Sequence, residues 1–136
     1  MAEYNRPLPP VTTDSRPYWD AAKRHEFMMQ KCNDCGHVYM PPAICCHYCA
    51  SLNVDWVKVS GKGKVFTYTV VRRAFGPWAD AVPYVIAIVE TEEGSRLTTN
   101  IVGCAPEDVR VDMPVEVVFD DVTEDVSLPK FKPVGA

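Results

Sequence analysis

Long apolar runs are missing from this sequence: no stretch approaches the roughly 20 hydrophobic residues that a membrane-spanning helix needs, so no membrane is expected among its partners. The first ten residues, MAEYNRPLPP, hold three prolines and no apolar segment, which argues against a secretory signal and for a cytoplasmic protein. Surplus positive charge is missing too. The formal net charge is −4, whereas a dedicated nucleic-acid binder relies on cationic surface, so nucleic acid is not expected as a partner. Histidine is scarce, with only three residues, all at or before position 47. Internal repeats, low-complexity tracts and an alternation of strands with long helices are also absent, which excludes solenoids and parallel α/β sheets.

What is present is an ordinary globular mixture, 47% hydrophobic and 24% charged over 136 residues, enough for one domain with a small module beside it. Charge is unevenly placed: residues 21–73 carry eight Lys/Arg against three acids, while residues 107–125 carry eight acids against Arg110 alone. One end can meet an anion while the other keeps the chain soluble.

The six cysteines carry the strongest local signal. In a reducing compartment they do not read as a disulfide framework, so their spacing needs another cause. Cys32-Asn-Asp-Cys35 and Cys46-His-Tyr-Cys49 are two C-x-x-C pairs separated by residues 36–45. Each pair lets one tight turn deliver two thiolates to the same ion, and four thiolates satisfy tetrahedral zinc. The prediction is one structural zinc on Cys32, Cys35, Cys46 and Cys49, with no coordination position left for a catalytic water. Gly36 suits the positive φ that follows a zinc knuckle. A thioredoxin-like redox pair is disfavoured because neither pair opens a helix of a βαβ unit. Cys45 breaks the two-residue spacing and reads as a small buried side chain. His37 and His47 are potential substitutes for a sulfur, but with four cysteines available they read as solvated or packing residues.

Residues 1–13 read as an extended, proline-rich arm. Residues 14–52 form a helix-plus-ribbon unit: Thr13, Asp14 and Ser15 offer N-cap side chains to a helix of about ten residues, with Pro17 tolerated in its first turn. Tyr18, Trp19 and Ala22 give that helix an apolar stripe that must dock on its own domain or on a partner. Residues 53–136 read as all β. Strands are legible at Val65–Arg72, Pro83–Glu90, Arg96–Val102 and Pro114–Val122, with a turn at Glu92-Glu93-Gly94 and with Gly61 and Gly63 able to bend the first long strand. This spacing fits a five-stranded OB-type barrel better than a seven-stranded sandwich. The fold class is therefore mainly β: a short N-terminal helix and a zinc ribbon, then a five-stranded barrel.

Trp19, Cys32-x-x-Cys35-Gly36, Pro41-Pro42, Cys46-x-x-Cys49, Gly61-x-Gly63, Thr69-Val70-Val71, Pro83-Tyr84, Gly103-Cys104 and Pro106-Glu107-Asp108 together resemble the DUF35 family over nearly the whole chain. The resemblance implies a rubredoxin-like zinc ribbon followed by an OB-fold. It also implies a role as small partner of a thiolase-like enzyme that performs the thiolytic, acyl-transfer or retro-aldol step on an acyl-CoA. The implied assembly is a 2+2 heterotetramer around a thiolase-like homodimer. Ala43 stands where the family often has Arg, and His47 where Pro commonly follows the third cysteine.

The residues themselves agree that the chain is a poor catalyst alone. Cys104 has no histidine near it in sequence, so no nucleophile–base pair is assigned, and an independent acyl-CoA hydrolase is disfavoured. The loop Ala74-Phe75-Gly76-Pro77-Trp78-Ala79-Asp80-Ala81 is unusually apolar and follows Arg72 and Arg73. Arg72, Arg73, Phe75 and Trp78 are the candidate contacts to acyl-CoA or to a partner; the alternative is that the aromatics cap their own barrel. The competing function is a single-stranded nucleic-acid module using Phe66, Tyr68 and Phe75 as stacking platforms.

Overall fold

A computed structural model describes residues 4–135. In chain order it contains α1 (Arg16–Lys23), β1 (Met28–Cys32), β2 (Val38–Tyr39), β3 (Val54–Lys58), β4 (Lys62–Val71), β5 (Tyr84–Thr91), β6 (Arg96–Ile101), β7 (Pro114–Asp121) and β8 (Ser127–Pro133), with short 3-10 turns at Gly76–Trp78 and Pro106–Asp108. The protein is thus mainly β with one short helix, as the sequence predicts.

Two sheets form. The first, in order β2-β1-β3, is antiparallel throughout, with Gln30 opposite both Tyr39 and Trp56. β3 lies beyond the 52/53 division read from the sequence, yet it hydrogen-bonds to ribbon strand β1. The buried Gln30 side chain accepts from the Ala43 N–H at 2.7 Å and donates to the Ala43 carbonyl at 3.2 Å. That pair holds the segment after Pro41-Pro42 against β1, where it leads into the second cysteine pair.

The second sheet is a closed barrel in order β4-β5-β6-β8-β7. β5 shows why a nearly continuous apolar run becomes a barrel strand: Val85, Ala87 and Val89 point inward and are buried, while Tyr84, Ile86 and Ile88 are half-covered on the outer face. β4 is shared between β5 and β7, and its first residues pair with both. Gly63 makes this possible, because a Cβ there would overlap the Glu90 carbonyl oxygen of β5. A register shift between Val65 and Thr67 bends the strand further along.

The fifth barrel strand is β8, which is not among the strands legible in the sequence because Pro129 and Pro133 interrupt its pattern. Its geometry explains how they are tolerated. The Val102 N–H donates to the Phe131 carbonyl at 2.8 Å, so the odd-numbered residues of β8 turn their backbone polar groups toward β6. On that side β8 makes one ladder pair, Ile101 with Phe131, while it pairs with β7 continuously from Ser127 to Pro133. The missing proline N–H groups therefore fall on the sparsely paired edge.

The barrel interior is filled by its own side chains and by the ribbon's. Phe131, Val65, Val89 and Val115 are fully buried, and Met29 from β1 and Phe27 just before it join them in one cluster. Phe27 meets Phe131 edge-on with ring centroids 5.9 Å apart. Burying each such side chain stabilises the fold by roughly 1.5–3 kcal/mol, so ribbon and barrel share one core. α1 belongs to that core: Tyr18, Ala21 and Ala22 are buried, and Trp19 packs against the cluster with Tyr18 in a T-shaped pair at 4.9 Å. The apolar stripe of the helix docks on its own chain.

The helix is eight residues long, and its start differs from the expected capping pattern. Ser15 occupies the cap position without a side-chain bond to the helix; its hydroxyl instead accepts from the Thr12 N–H at 3.0 Å. The hydroxyl closes the turn before the helix. At the other end His25, with φ of 60°, turns the chain, stacks on Phe119 at 5.2 Å and places Nε2 2.9 Å from Asp121 Oδ1 on β7.

Candidate metal centre and barrel-end loop

The turn after β1 and the turn before β3 carry the two cysteine pairs, and the β1–β3 pairing of Cys32 with Val54 brings them face to face. The Sγ atoms of Cys32, Cys35, Cys46 and Cys49 all lie within 4.8 Å of one another. Cys32 and Cys49 are 3.6 Å apart and Cys35 and Cys46 3.5 Å. A tetrahedron with metal–sulfur bonds of about 2.3 Å has sulfurs about 3.8 Å apart, so this arrangement fits a zinc-sized ion. The four cysteines predicted from spacing are thus the four that converge. Cys45 is half-buried beside them and outside the cluster.

Local backbone geometry prepares the sulfurs for a cation. The Cys35 N–H donates to Cys32 Sγ at 3.5 Å and the Tyr48 N–H to Cys46 Sγ at 3.3 Å. The N–H of Cys35 is the main reason that the Cys32 thiol is lowered to about 6. At Cys46 burial opposes ionisation, but the N–H groups of Cys49 and Tyr48 and the adjoining sulfurs outweigh it and lower its pKa. Cys49 goes the other way, up to about 12: the Ser51 N–H favours its thiolate, but Cys32, burial and the other sulfurs prevail. Cys35 is also raised, the His37 N–H being overcome by burial and by Cys46 and Cys32. Backbone N–H groups aimed at the sulfurs favour the thiolate form, and a divalent ion bound among them would hold all four as thiolates.

The histidines are more engaged than the sequence suggests. His37 Nδ1 lies 3.2 Å from Cys35 Sγ, and its ring stacks on Tyr48 with centroids 3.8 Å apart at 14°. His47 packs against Tyr39 at 4.8 Å. No local pattern reports the His37–Tyr48 contact, because it depends on the two knuckles having closed on each other.

The loop between β4 and β5 holds the other candidate residues. Arg72 and Arg73 are exposed, Arg72 reaching Glu107 at 3.7 Å. Phe75 is 83% exposed, while Trp78 at 37% lines a cavity of about 150 Å³ with Tyr4, Arg6, Tyr84 and Asn100. The two aromatics therefore separate: Trp78 leans on its own barrel and Phe75 projects into solvent. The N-terminal arm reaches this loop, Arg6 donating to the Pro77 carbonyl and to Asp80, both at 3.1 Å.

Cys104 is half-buried, and burial, reinforced by Asp108, raises its pKa. The histidines are engaged elsewhere: His25 with Asp121, His37 with Cys35 and His47 with Tyr39. Among the described residues no thiol–imidazole pair forms at Cys104.

Comparison with known proteins places this architecture. Residues 19–55 match the family model for the ChsH2 rubredoxin-like zinc ribbon domain, and residues 56–120 that for the ChsH2 C-terminal OB-fold domain. A DUF35 domain-containing scaffold protein of Methanocaldococcus jannaschii is 48% identical over 96 residues, covering 70% of this chain and 68% of that protein. A probable enoyl-CoA hydratase alpha subunit of Thermomonospora curvata is 38% identical over 128 residues; these cover 94% of this chain but only 40% of the relative's length. Among solved structures, a chain of one described as Ltp2-ChsH2(DUF35) aldolase superposes with a TM-score of 0.82 at 36% identity, over 93% of this chain and 98% of that one. With a four-thiol ribbon, a closed five-stranded barrel and these matches in both parts, the chain belongs to the DUF35 family, as a rubredoxin-like zinc ribbon joined to an OB-fold.

Proposed function

We propose that this chain is a non-catalytic accessory subunit of a thiolase-like acyl-CoA enzyme. It carries one structural zinc on Cys32, Cys35, Cys46 and Cys49, and it supports assembly and acyl-CoA access. The observation that carries this reading is the near full-length superposition on a chain of the Ltp2-ChsH2(DUF35) aldolase. The names of the relatives, a scaffold and a hydratase subunit, support the same class of role.

The barrel-end loop supplies the physical means. A phenyl ring as exposed as that of Phe75 is unfavourable in water and is a common interface anchor. Arg72 and Arg73 beside it bring cationic groups suited to the partner's acidic rim or to CoA phosphates. The proposed assembly has one copy of this chain on each subunit of a thiolase-like homodimer. Co-expression with a thiolase-like partner followed by native mass measurement tests it: a 2+2 mass is expected, and separate elution of the two chains would contradict it.

A further inference from the structure

The four sulfurs are not equally protected. Cys32 and Cys46 are buried, whereas Cys35 and Cys49 are exposed. A closed tetrathiolate around a divalent ion keeps a net charge of −2, and the exposed sulfurs are where water and competing chelators reach it. Hydrogen bonds donated to a metal-bound ligand fix its orientation and moderate its charge. Backbone N–H groups serve this purpose across the cluster. Among the described residues, Cys35 alone has, in addition, a side-chain nitrogen in range, His37 Nδ1 at 3.2 Å.

The imidazole is held in that position from its other face. Tyr48 stacks on it almost parallel, at 3.8 Å, and Tyr48 belongs to the second cysteine pair while His37 follows the first. The stack thus bridges the two knuckles through side chains that are not ligands, and both residues are exposed beside the cluster. Tyr48 also donates its own backbone N–H to Cys46. One residue pair therefore reaches a sulfur of each knuckle.

We infer that His37 is a positioning residue of the metal centre: as the Nδ1–H tautomer it donates to the Cys35 thiolate, with Tyr48 clamping its ring, and so slows loss of the metal from the exposed edge. The two parts of this device separate by substitution. His37→Phe keeps a ring for Tyr48 and loses the donor. His37→Asn places an amide nitrogen near the position of Nδ1 and loses the ring.

The test uses the full chain loaded with zinc, and with cobalt(II) as a spectroscopic substitute. Transfer of zinc to a chromophoric chelator should be about tenfold faster in His37→Phe, the lower end of the usual effect of removing such a partner. His37→Asn should stay close to the unsubstituted chain. In the cobalt form, loss of the donor leaves Cys35 sulfur more electron-rich, so the thiolate-to-metal charge-transfer band of His37→Phe should move to longer wavelength. An unchanged release rate and band in His37→Phe would overturn the inference, as would equal acceleration in both variants, which would assign the effect to ring packing. Should His37→Phe fail to fold, imidazole nitrogen NMR of the zinc-loaded unsubstituted protein still decides: protonated Nδ1 is expected, and a neutral ring protonated only at Nε2 contradicts the proposal.

Discussion

Cysteine spacing does its structural work through single atoms. Cys32 is fully buried and its thiol is already lowered by the N–H of Cys35, so replacing its sulfur by a hydroxyl removes both a metal ligand and an atom of the ribbon's small core. Cys32→Ser should lose the metal and unfold the ribbon, since metal binding at such sites is coupled to folding. Cys45→Ala should retain one equivalent of zinc by elemental analysis, because Cys45 lies outside the converging set. Asp121 is the second informative residue. The Ser127 hydroxyl, and after it His25, hold its carboxyl below the ordinary value of 3.8. A depressed folded-state value means stability that is present above the unfolded value and lost as pH falls through the folded one. The melting-temperature gap between the unsubstituted chain and Asp121→Asn should therefore narrow as pH falls below about 4, where the carboxylate takes up its proton. A gap that widens below about pH 4 would contradict this assignment.

At the scale of elements, α1 and the β4–β5 loop behave oppositely. Trp19 is half-buried against the common core, so Trp19→Ala should destabilise the isolated chain by about 2 kcal/mol, visible as a lower melting temperature. Phe75 is almost fully exposed, so Phe75→Ala should leave melting unchanged while weakening association with the proposed thiolase-like partner by about 2 kcal/mol, the usual scale of an interface anchor. Calorimetric titration and thermal melting on both variants measure the two effects separately. The same contrast shows what a sequence can and cannot tell. The cysteine pairs were legible because a C-x-x-C turn is local, and β5 because its apolar run is unbroken. β8 was hidden by Pro129 and Pro133, whose tolerance depends on which edge of the strand faces a sparse ladder. The reversed role of Ser15, the reach of Arg6 to Pro77 and Asp80, and the His37–Tyr48 stack are all long-range or context-dependent contacts that periodicity does not encode.

For the whole molecule, charge and surface decide between functions. A single-strand binder needs bare aromatic faces in a cationic groove. Here the Phe66 ring is covered by the Arg96 guanidinium at 3.9 Å, and the chain as a whole carries −4. Oligonucleotide titration near physiological salt should accordingly show weak binding, and submicromolar affinity with a steep salt dependence would reverse the ranking of the two readings. The accessory role makes a stronger demand: the acyl-CoA chemistry is expected of the proposed partner together with this chain, and not of this chain by itself. The most direct measurement is acyl-CoA consumption by this chain alone, by the proposed thiolase-like partner alone and by the two mixed. The account predicts turnover only in the mixture; full activity of the partner without this chain, or turnover by this chain by itself, would contradict it.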